Sequence, residues 1–268
     1  MLLAIDSGNT NVVFALMDGN HIDDNHIHAQ WRIETNDRRT ADEYFVWLTQ
    51  LAAAKGLHLK GLRGVIMANV RPASQFALER LSKEHLGHVP HVAGTAACPI
   101  DLAVKIDRPD QVGADRLVNA FAAKQMGLKP AILIDTGTAT TFDILDQHGA
   151  YVGGIIAPGV HVSATALAQA AAQLPLVSVE QPPSPIGTDT KTAMQSGLFW
   201  GYVDMLDGLI MRTKTAMVAQ GHAAQMDHIQ VIGTGGLMKV LSKGLKNLDR
   251  LEGDLTLVGL SQIYNQNK

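Results

Sequence analysis

A short segment at the start of the chain recurs near its middle. Residues Ile5–Asn11 read IDSGNTN and residues Ile134–Thr140 read IDTGTAT, and in both copies apolar runs flank the turn, as in a β-hairpin. Asp6 and Asp135 are 129 residues apart in a chain of 268, whereas the repeats of solenoid proteins recur every ~20–50 residues. The repeat therefore predicts two duplicated α/β domains, which we place at residues 1–128 and 129–268.

The residue types in these turns favour binding of a polyphosphate. Glycine lets the backbone approach a ligand closely, and turn N–H groups with small hydroxyls can surround phosphate oxygens. The aspartate is anionic like phosphate, but it can hold Mg²⁺ against the phosphates, directly or through water. One such turn alone would be read as an ordinary hairpin. Two of them, facing each other across a cleft, would provide the positioning and charge neutralisation that phosphoryl transfer needs.

Composition argues against several other classes of protein. A formal net charge of -3 lacks the basic footprint of a nucleic-acid-binding protein. No apolar stretch approaches the roughly 18 residues of a membrane span, and Asp6 interrupts the apolar N-terminus too early for a signal peptide. The one cysteine, Cys98, cannot form an internal disulfide. We therefore expect a cytoplasmic enzyme of small metabolites, with no nucleic-acid or membrane partner.

The spacing of apolar and turn residues predicts alternating strands and helices. Thr40–Glu43 has the form of a capping box, and apolar residues follow it at helical spacing. Strands are expected at 2–5, 11–17, 61–68, 131–134, 142–145, 151–156 and 229–232, and helices at 73–86, 113–127, 164–172 and 189–219. The glycine-rich segment Gly233–Gly236 follows a predicted strand, but Met238 stands where a dinucleotide-binding fingerprint would have glycine.

Five ordered segments resemble the motifs of type III pantothenate kinases. They run from Asp6 to Gly236 and cover nearly the whole chain: Asp6–Asn11 (DSGNTN), Gly113–Arg116 (GADR), Asp135–Thr141 (DTGTATT), Gly154–Gly159 (GIIAPG) and Gly233–Gly236 (GTGG). The resemblance implies the duplicated fold of the acetate and sugar kinase/Hsp70/actin superfamily. It also implies a homodimer that phosphorylates pantothenate with ATP and Mg²⁺ in the presence of a monovalent cation, K⁺ or NH₄⁺.

The resemblance also implies roles for individual residues. The ATP segment comprises Asp6, Ser7, Gly8, Asn9, Thr10, Asn11, Val12 and Val13, with Thr138 as a second ATP contact and Asp6 as a candidate Mg²⁺ ligand. The pantothenate segment comprises Gly113, Ala114, Asp115 and Arg116, with Asp115 as proton acceptor and Thr190 as a further substrate contact. Asp135 resembles the ligand of the monovalent cation. The residue chemistry is consistent, because a guanidinium suits the substrate carboxylate and a carboxylate suits the attacking hydroxyl.

Two departures from the family pattern concern the substrate pocket. The family usually carries a tyrosine before the Asp-x-Pro of this region, where this chain has Ile106. The family's Ser-Ser-Val-Val-Pro stands here as Ala68–Pro72 (ANVRP). Two alternatives therefore stay open. One is a kinase of the same fold that acts on a sugar, acetate, polyphosphate or another hydroxylated small molecule, and the other is a non-catalytic regulatory homologue.

A polar segment before the third strand contains several potential metal ligands. His21, His26 and His28 lie near Asp23 and Asp24, but their spacing fits no defined zinc site. We interpret this segment as a polar excursion between two strands.

Overall fold

The computed structural model describes residues 1–18, 26–171 and 174–268, which form two compact units. Unit 1 comprises Met1–Leu102, Arg108–Met126 and Leu255–Lys268, and unit 2 comprises Ala103–Asp107 and Gly127–Asp254. Of the predicted histidine–aspartate segment, His21, Asp23 and Asp24 lie outside the described residues, as does Ala172 at the end of a predicted helix.

Ten strands and seven α-helices make up these units among the described residues. In chain order they are β1 (Leu2–Ser7), β2 (Asn11–Met17), β3 (Ile27–Glu34), α1 (Ala41–Ala54), β4 (Gly64–Asn69), α2 (Pro72–Arg80), β5 (His91–Val92), α3 (Ala114–Gln125), β6 (Ala131–Thr136), β7 (Ala139–Leu145), β8 (Tyr151–Pro158), α4 (Val160–Ala170), α5 (Thr190–Ala219), β9 (Gln230–Thr234), α6 (Met238–Leu241), β10 (Arg250–Leu251) and α7 (Leu255–Gln266). A π-helical turn, Leu81–His85, continues α2 over the rest of the predicted helix at 73–86.

The two sheets have the same topology, which confirms the duplicated α/β fold that the repeat predicts. Unit 1 has the strand order β3-β2-β1-β4-β5 and unit 2 the order β8-β7-β6-β9-β10. In each sheet the first three strands are antiparallel neighbours, and the fourth and fifth run parallel to the first. Strands β1 and β6 therefore occupy equivalent central positions, and Asp6 and Asp135 lie one residue before the C-terminal ends of these strands.

Alternating residues of β1 face two hydrophobic layers of unit 1. Leu3 and Ile5 pack in the layer that contains α1 residues, whereas Leu2 and Ala4 face the layer that contains residues of α3 and α7. All four side chains are fully buried, and burial of a leucine or isoleucine contributes about 1.5–3 kcal/mol. The central strand is thus held from both faces, which fixes the turn that follows it.

The compact units differ from the predicted domain ranges in three places, of which the smallest is the boundary, since residues 127–128 belong to unit 2. Helix α7 belongs to unit 1 although it follows unit 2 in the chain, because Leu257, Leu260 and Ile263 complete the layer that covers Leu2 and Ala4. Residues Ala103–Asp107 belong to unit 2. The backbone there bonds to β8, since Tyr151 N–H donates to the Ala103 carbonyl and Lys105 N–H donates to the Tyr151 carbonyl, both at 2.8 Å.

Capping side chains define the starts of two helices. Thr40 Oγ1 accepts from the Glu43 backbone N–H, and a Glu43 carboxylate oxygen accepts from the Thr40 N–H, as the capping box predicts. Asp189 and Thr192 form the same reciprocal pair at the start of α5. Such a cap contributes about 0.5–2 kcal/mol. None of the helices in the described part of the chain combines the length and apolar character that crossing a membrane requires.

Candidate active site

The first predicted phosphate segment is a tight turn between β1 and β2. Ser7 and Val12 are the last paired residues, so Gly8–Asn11 form the turn, and the Gly8 N–H donates to the Asn11 carbonyl at 3.0 Å. A Cβ on Gly8 would lie 3.3 Å from that same carbonyl oxygen, so a larger residue would press on the turn. Asn9 and Thr10 are exposed at its tip.

The predicted ATP-binding residues of this segment differ in accessibility. Asp6 and Asn11 are half-buried, whereas the side chains of Ser7, Val12 and Val13 are buried in unit 1. Ser7 Oγ has no hydrogen-bond partner among the described residues. The side chains of Val12 and Val13 belong to the hydrophobic layers of unit 1.

The pantothenate segment begins helix α3. Gly113 is its N-cap and Ala114 its first residue, and the Asp115 carboxylate accepts a hydrogen bond from the Arg116 backbone N–H at 2.8 Å. Burial raises the pKa of Asp115 above its ordinary value, although the hydrogen bond and the charge of Arg116 oppose this change. A Cβ on Gly113 would lie 2.5 Å from Asp115 Oδ1. The absence of a side chain at residue 113 therefore leaves room for the Asp115 carboxylate in its observed position.

The phosphate turn and the pantothenate segment share a neighbour in the loop after β4. The Val70 N–H donates to the Ser7 carbonyl at 3.0 Å, and Val70 Cγ1 would lie 3.4 Å from a Cβ on Gly113. Unit 1 thus brings the two predicted segments together at one end of its sheet. The segment Ala68–Pro72 departs from the family sequence. Within it, Asn69 Oδ1 accepts a hydrogen bond from the Arg71 N–H at 2.9 Å, so a side chain still holds the backbone of this loop.

Unit 2 has an equivalent turn that is one residue shorter. Thr136 and Thr140 are the last paired residues of β6 and β7, which leaves three residues, Gly137, Thr138 and Ala139, between them. The Gly137 N–H donates to the Ala139 carbonyl at 3.0 Å, and the Thr138 carbonyl accepts from the Gly159 N–H at 3.1 Å. The two sequence copies align residue for residue, but their turns do not.

The glycine-rich segment contacts the second aspartate. Gly235 has a φ of +90°, a conformation that L side chains rarely adopt, and a Cβ on it would collide with Asp135 Oδ1 and lie 2.6 Å from the Thr136 nitrogen. Thr136 Oγ1 donates to the Thr234 carbonyl at 3.2 Å. The glycine therefore allows the turn after β9 to lie directly against Asp135.

Thr190 and Ile106 lie apart from these turns in the chain, and both belong to unit 2. Thr190 is the first residue of α5 and is exposed. Ile106 is half-buried, in the segment that bonds to β8. Gly113–Arg116, by contrast, belong to unit 1.

Comparison with known proteins decides the family. The model of type III pantothenate kinases matches residues 2–212. Curated type III pantothenate kinases from Rhodospirillum centenum and Paramagnetospirillum magneticum are each 45% identical over 267 residues, covering 100% of this chain and 99% and 98% of the relatives. The chain belongs to the type III pantothenate kinase family.

Two solved structures share the fold of this family member at low sequence identity. A Campylobacter jejuni protein provisionally described as a Baf family transcriptional activator is 17% identical, with a TM-score of 0.56 and coverage of 99% of this chain and 98% of that one. A Sinorhizobium meliloti protein provisionally described as a 2-dehydro-3-deoxygalactonokinase is 13% identical, with a TM-score of 0.52 and coverage of 99% and 96%. These likenesses support the fold alone.

The described residues hold no cluster of three or more histidine, cysteine, aspartate or glutamate side chains that could bind a metal by themselves. Asp6 and Asp135 each contribute one carboxylate, near the C-terminal end of β1 and of β6. One carboxylate is compatible with a Mg²⁺ site, because Mg²⁺ keeps several waters and is commonly bound through one or two carboxylates together with phosphate oxygens.

Other potentially reactive groups of this pantothenate kinase family member have ordinary roles. Burial raises the pKa of the Cys98 thiol and keeps it protonated. His28 Nε2 lies 2.5 Å from Asp18 Oδ2, and this hydrogen bond lowers the pKa of Asp18. The sequence analysis missed Thr35, whose hydroxyl donates to the Gly8 carbonyl at 2.8 Å. No local sequence signal indicates this contact, because the strand that precedes Thr35, β3, was not among the predicted strands.

Proposed function

We propose that this chain transfers the γ-phosphate of ATP to the terminal hydroxyl of pantothenate. The product is 4'-phosphopantothenate, and the reaction is the first step of coenzyme A biosynthesis. The full-length match to type III pantothenate kinases carries this proposal, and the half-buried Asp115 at the start of α3 supports it.

Asp115 acts as the proton acceptor for the substrate hydroxyl. Desolvation raises its pKa towards neutrality, which makes the carboxylate a better base than an exposed aspartate. Phosphoryl transfer has a loose transition state, so aiming the hydroxyl at the phosphorus matters at least as much as removing its proton. The hydrogen bond from the Arg116 N–H and the space that Gly113 leaves for Oδ1 serve that aim.

Arg116 binds the carboxylate of pantothenate, and Thr190 is a further substrate contact. A guanidinium offers two parallel N–H donors to a carboxylate, which fixes direction as well as charge. Ile106 replaces the tyrosine hydroxyl usual in the family, so the pocket has one polar contact fewer at that point. Gly113 and Ala114 complete this segment and let it approach the substrate without a large side chain.

The ATP phosphates bind at the Asp6–Val13 segment, with Thr138 as a second contact. The residues fit an anionic ligand, because the turn is glycine-containing and its tip, Asn9 and Thr10, is exposed. Asp6 holds Mg²⁺ through an oxygen or a water. When bound, Mg²⁺ neutralises charge on the phosphates.

Asp135 is the ligand of a monovalent cation, K⁺ or NH₄⁺. The proposal rests on the family resemblance and on the close approach of the Gly235 backbone to Asp135 Oδ1, because a Cβ on residue 235 would displace that oxygen. A cation there would relieve the like-charge repulsion between this carboxylate and phosphate. In addition, we expect a homodimer, as the family resemblance implies, and a cytoplasmic location, as the composition predicts.

An acceptor panel tests the proposed function against the alternatives. ADP release would be measured with pantothenate, other hydroxylated acids, sugars and acetate at equal concentrations. Pantothenate should exceed every other acceptor in kcat/KM. A preference for a sugar or acetate would favour the related-kinase alternative. Absence of turnover with every acceptor, together with failure to complement a strain that lacks pantothenate kinase, would favour the non-catalytic alternative.

A further inference from the structure

The carbonyl oxygens of the first phosphate turn are held by donors within unit 1. The Ser7 carbonyl accepts from the Val70 N–H at 3.0 Å, and the Asn11 carbonyl accepts from the Gly8 N–H at 3.0 Å. The remaining two bonds come from one residue. Thr35 donates its backbone N–H to the Thr10 carbonyl at 2.9 Å and its hydroxyl to the Gly8 carbonyl at 2.8 Å.

Strand pairing brings Thr35 to this position. Asn11 pairs with Glu34 at the end of β3, and Thr35 is the next residue, so it continues alongside Thr10. It is 27 residues from Gly8 in the chain, and its side chain is half-buried. The residue that follows β3 therefore donates two hydrogen bonds to the turn between β1 and β2.

The duplicated unit shows the same relationship with different residues. Gly159 is the residue after β8, the strand equivalent to β3, and its N–H donates to the Thr138 carbonyl at 3.1 Å. A Cβ on Gly159 would lie 2.6 Å from the Gly137 carbonyl oxygen. In both units, then, the residue after the third strand approaches the carbonyls of the turn. Only unit 1 adds a hydroxyl, because the shorter turn of unit 2 leaves no room for a side chain.

We propose that Thr35 is a positioning residue for the ATP phosphates. It holds the Gly8 and Thr10 carbonyl oxygens so that these peptide groups cannot rotate and point an oxygen at the polyphosphate. A carbonyl oxygen facing phosphate would repel it, whereas turn N–H groups attract it. The inference rests on the proposed function only in taking Gly8–Asn11 as the phosphate-binding turn.

Three variants separate the hydroxyl bond from general packing. Thr35→Val keeps the branched shape and the backbone N–H but removes the donor to Gly8. Thr35→Ser keeps the donor and removes the methyl. Thr95→Val is the matched control, because the Thr95 hydroxyl also donates to a backbone carbonyl, that of Val92, at 2.8 Å in unit 1.

The measurement is the Kd of a non-hydrolysable ATP analogue with Mg²⁺, by calorimetry, together with the KM values for ATP and pantothenate. We expect Thr35→Val to weaken analogue binding and raise the KM for ATP about 3–10-fold, the loss expected for one hydrogen bond. The KM for pantothenate should change less than twofold. Thr35→Ser and Thr95→Val should both stay within about twofold of wild type.

The outcomes distinguish this inference from the proposed function. Wild type that binds the analogue but does not phosphorylate pantothenate contradicts the function, and the analogue Kd values then still decide the role of Thr35. Unchanged analogue binding in Thr35→Val overturns the inference. Equal weakening in Thr35→Ser or in Thr95→Val also overturns it, because the effect then does not come from the bond to Gly8.

Discussion

Asp115 and Gly113 are two residues apart, and the observed position of the Asp115 carboxylate leaves no room for a side chain at residue 113. A Cβ on Gly113 would lie 2.5 Å from Asp115 Oδ1, well inside the contact distance of carbon and oxygen. The same glycine is the N-cap of α3, a position where serine, threonine, aspartate or asparagine is usually preferred. Helix α3 therefore lacks the hydrogen bond of a polar N-cap side chain, and glycine at this position leaves room for the Asp115 carboxylate.

Substitution Gly113→Ala should lower kcat by about 10–10², because it displaces the Asp115 carboxylate from the substrate hydroxyl. The KM for ATP should change less than twofold. Steady-state kinetics checks this, with Gly253→Ala as control, since a Cβ on Gly253 meets nothing within 4 Å. Wild-type turnover in Gly113→Ala would show that the position of Oδ1 does not matter for catalysis.

Substitution Asp115→Asn should lower kcat by about 10²–10⁴ and leave ATP binding nearly unchanged. Asparagine keeps the oxygen that accepts from the Arg116 N–H, so the helix start stays intact while the base is lost. Kinetics and calorimetry with an ATP analogue give the two values. Near-wild-type kcat would remove Asp115 from the role of proton acceptor.

The raised pKa of Asp115 predicts a pH dependence of both activity and stability. The carboxylate must be ionised to accept a proton. As the pH is lowered, kcat/KM should therefore fall around the raised pKa of Asp115, which lies above the ordinary value of 3.8. Folding favours the protonated form, so this residue's stabilising contribution is full below pH 3.8 and is lost as pH rises through the raised pKa. Asp115→Asn should therefore raise Tm at pH 7, and a lower Tm would argue against the desolvation.

Substitution Gly235→Ala should raise the K⁺ concentration needed for half-maximal activity by roughly 10–100-fold. A methyl there collides with Asp135 Oδ1 and displaces the proposed cation ligand. Gly221→Ala is the matched control, because its φ of +75° imposes similar backbone strain while a Cβ there meets nothing within 4 Å. If both variants show the same K⁺ dependence, Gly235 has no specific role at Asp135.

Substitution Tyr151→Phe should destabilise unit 2 by about 1–3 kcal/mol, because the Tyr151 hydroxyl donates to the buried Asp143 carboxylate at 2.8 Å. Tyr264→Phe removes a comparable 2.7 Å bond, but to the neutral Arg63 carbonyl, and should cost only about 0.5–1.5 kcal/mol. Urea unfolding of both variants makes the comparison. A larger loss of unfolding free energy in Tyr264→Phe than in Tyr151→Phe would contradict the stronger contribution expected of the bond to the Asp143 carboxylate.

Much of the fold follows from local sequence signals. The two Asp-x-Gly turns predict two equivalent hairpins, and the capping box at Thr40–Glu43 predicts where α1 begins. The strands that flank the turns are apolar enough to be recognised directly. These features depend on neighbouring residues only, which is why they can be read from a single sequence.

The features that sequence could not give depend on distant partners. The one-residue difference between the two turns is a matter of hydrogen-bond register, which the alignment of Asn11 with Thr140 in the sequence repeat conceals. Helix α7 joins unit 1 because Leu260 and Ile263 find their apolar partners there. Thr35 contacts Gly8 across 27 residues, and nothing near Thr35 in the sequence indicates that contact.

The most direct test of the account is identification of the product. The protein would be incubated with ATP, Mg²⁺, K⁺ and pantothenate, and the acceptor examined by mass spectrometry and phosphorus NMR. We expect pantothenate with one phosphoryl group added to its terminal hydroxyl, and one molecule of ADP formed for each molecule of product. Recovery of unmodified pantothenate after incubation with folded protein would contradict this expectation. A phosphoryl group on any position other than the terminal hydroxyl would contradict it as well.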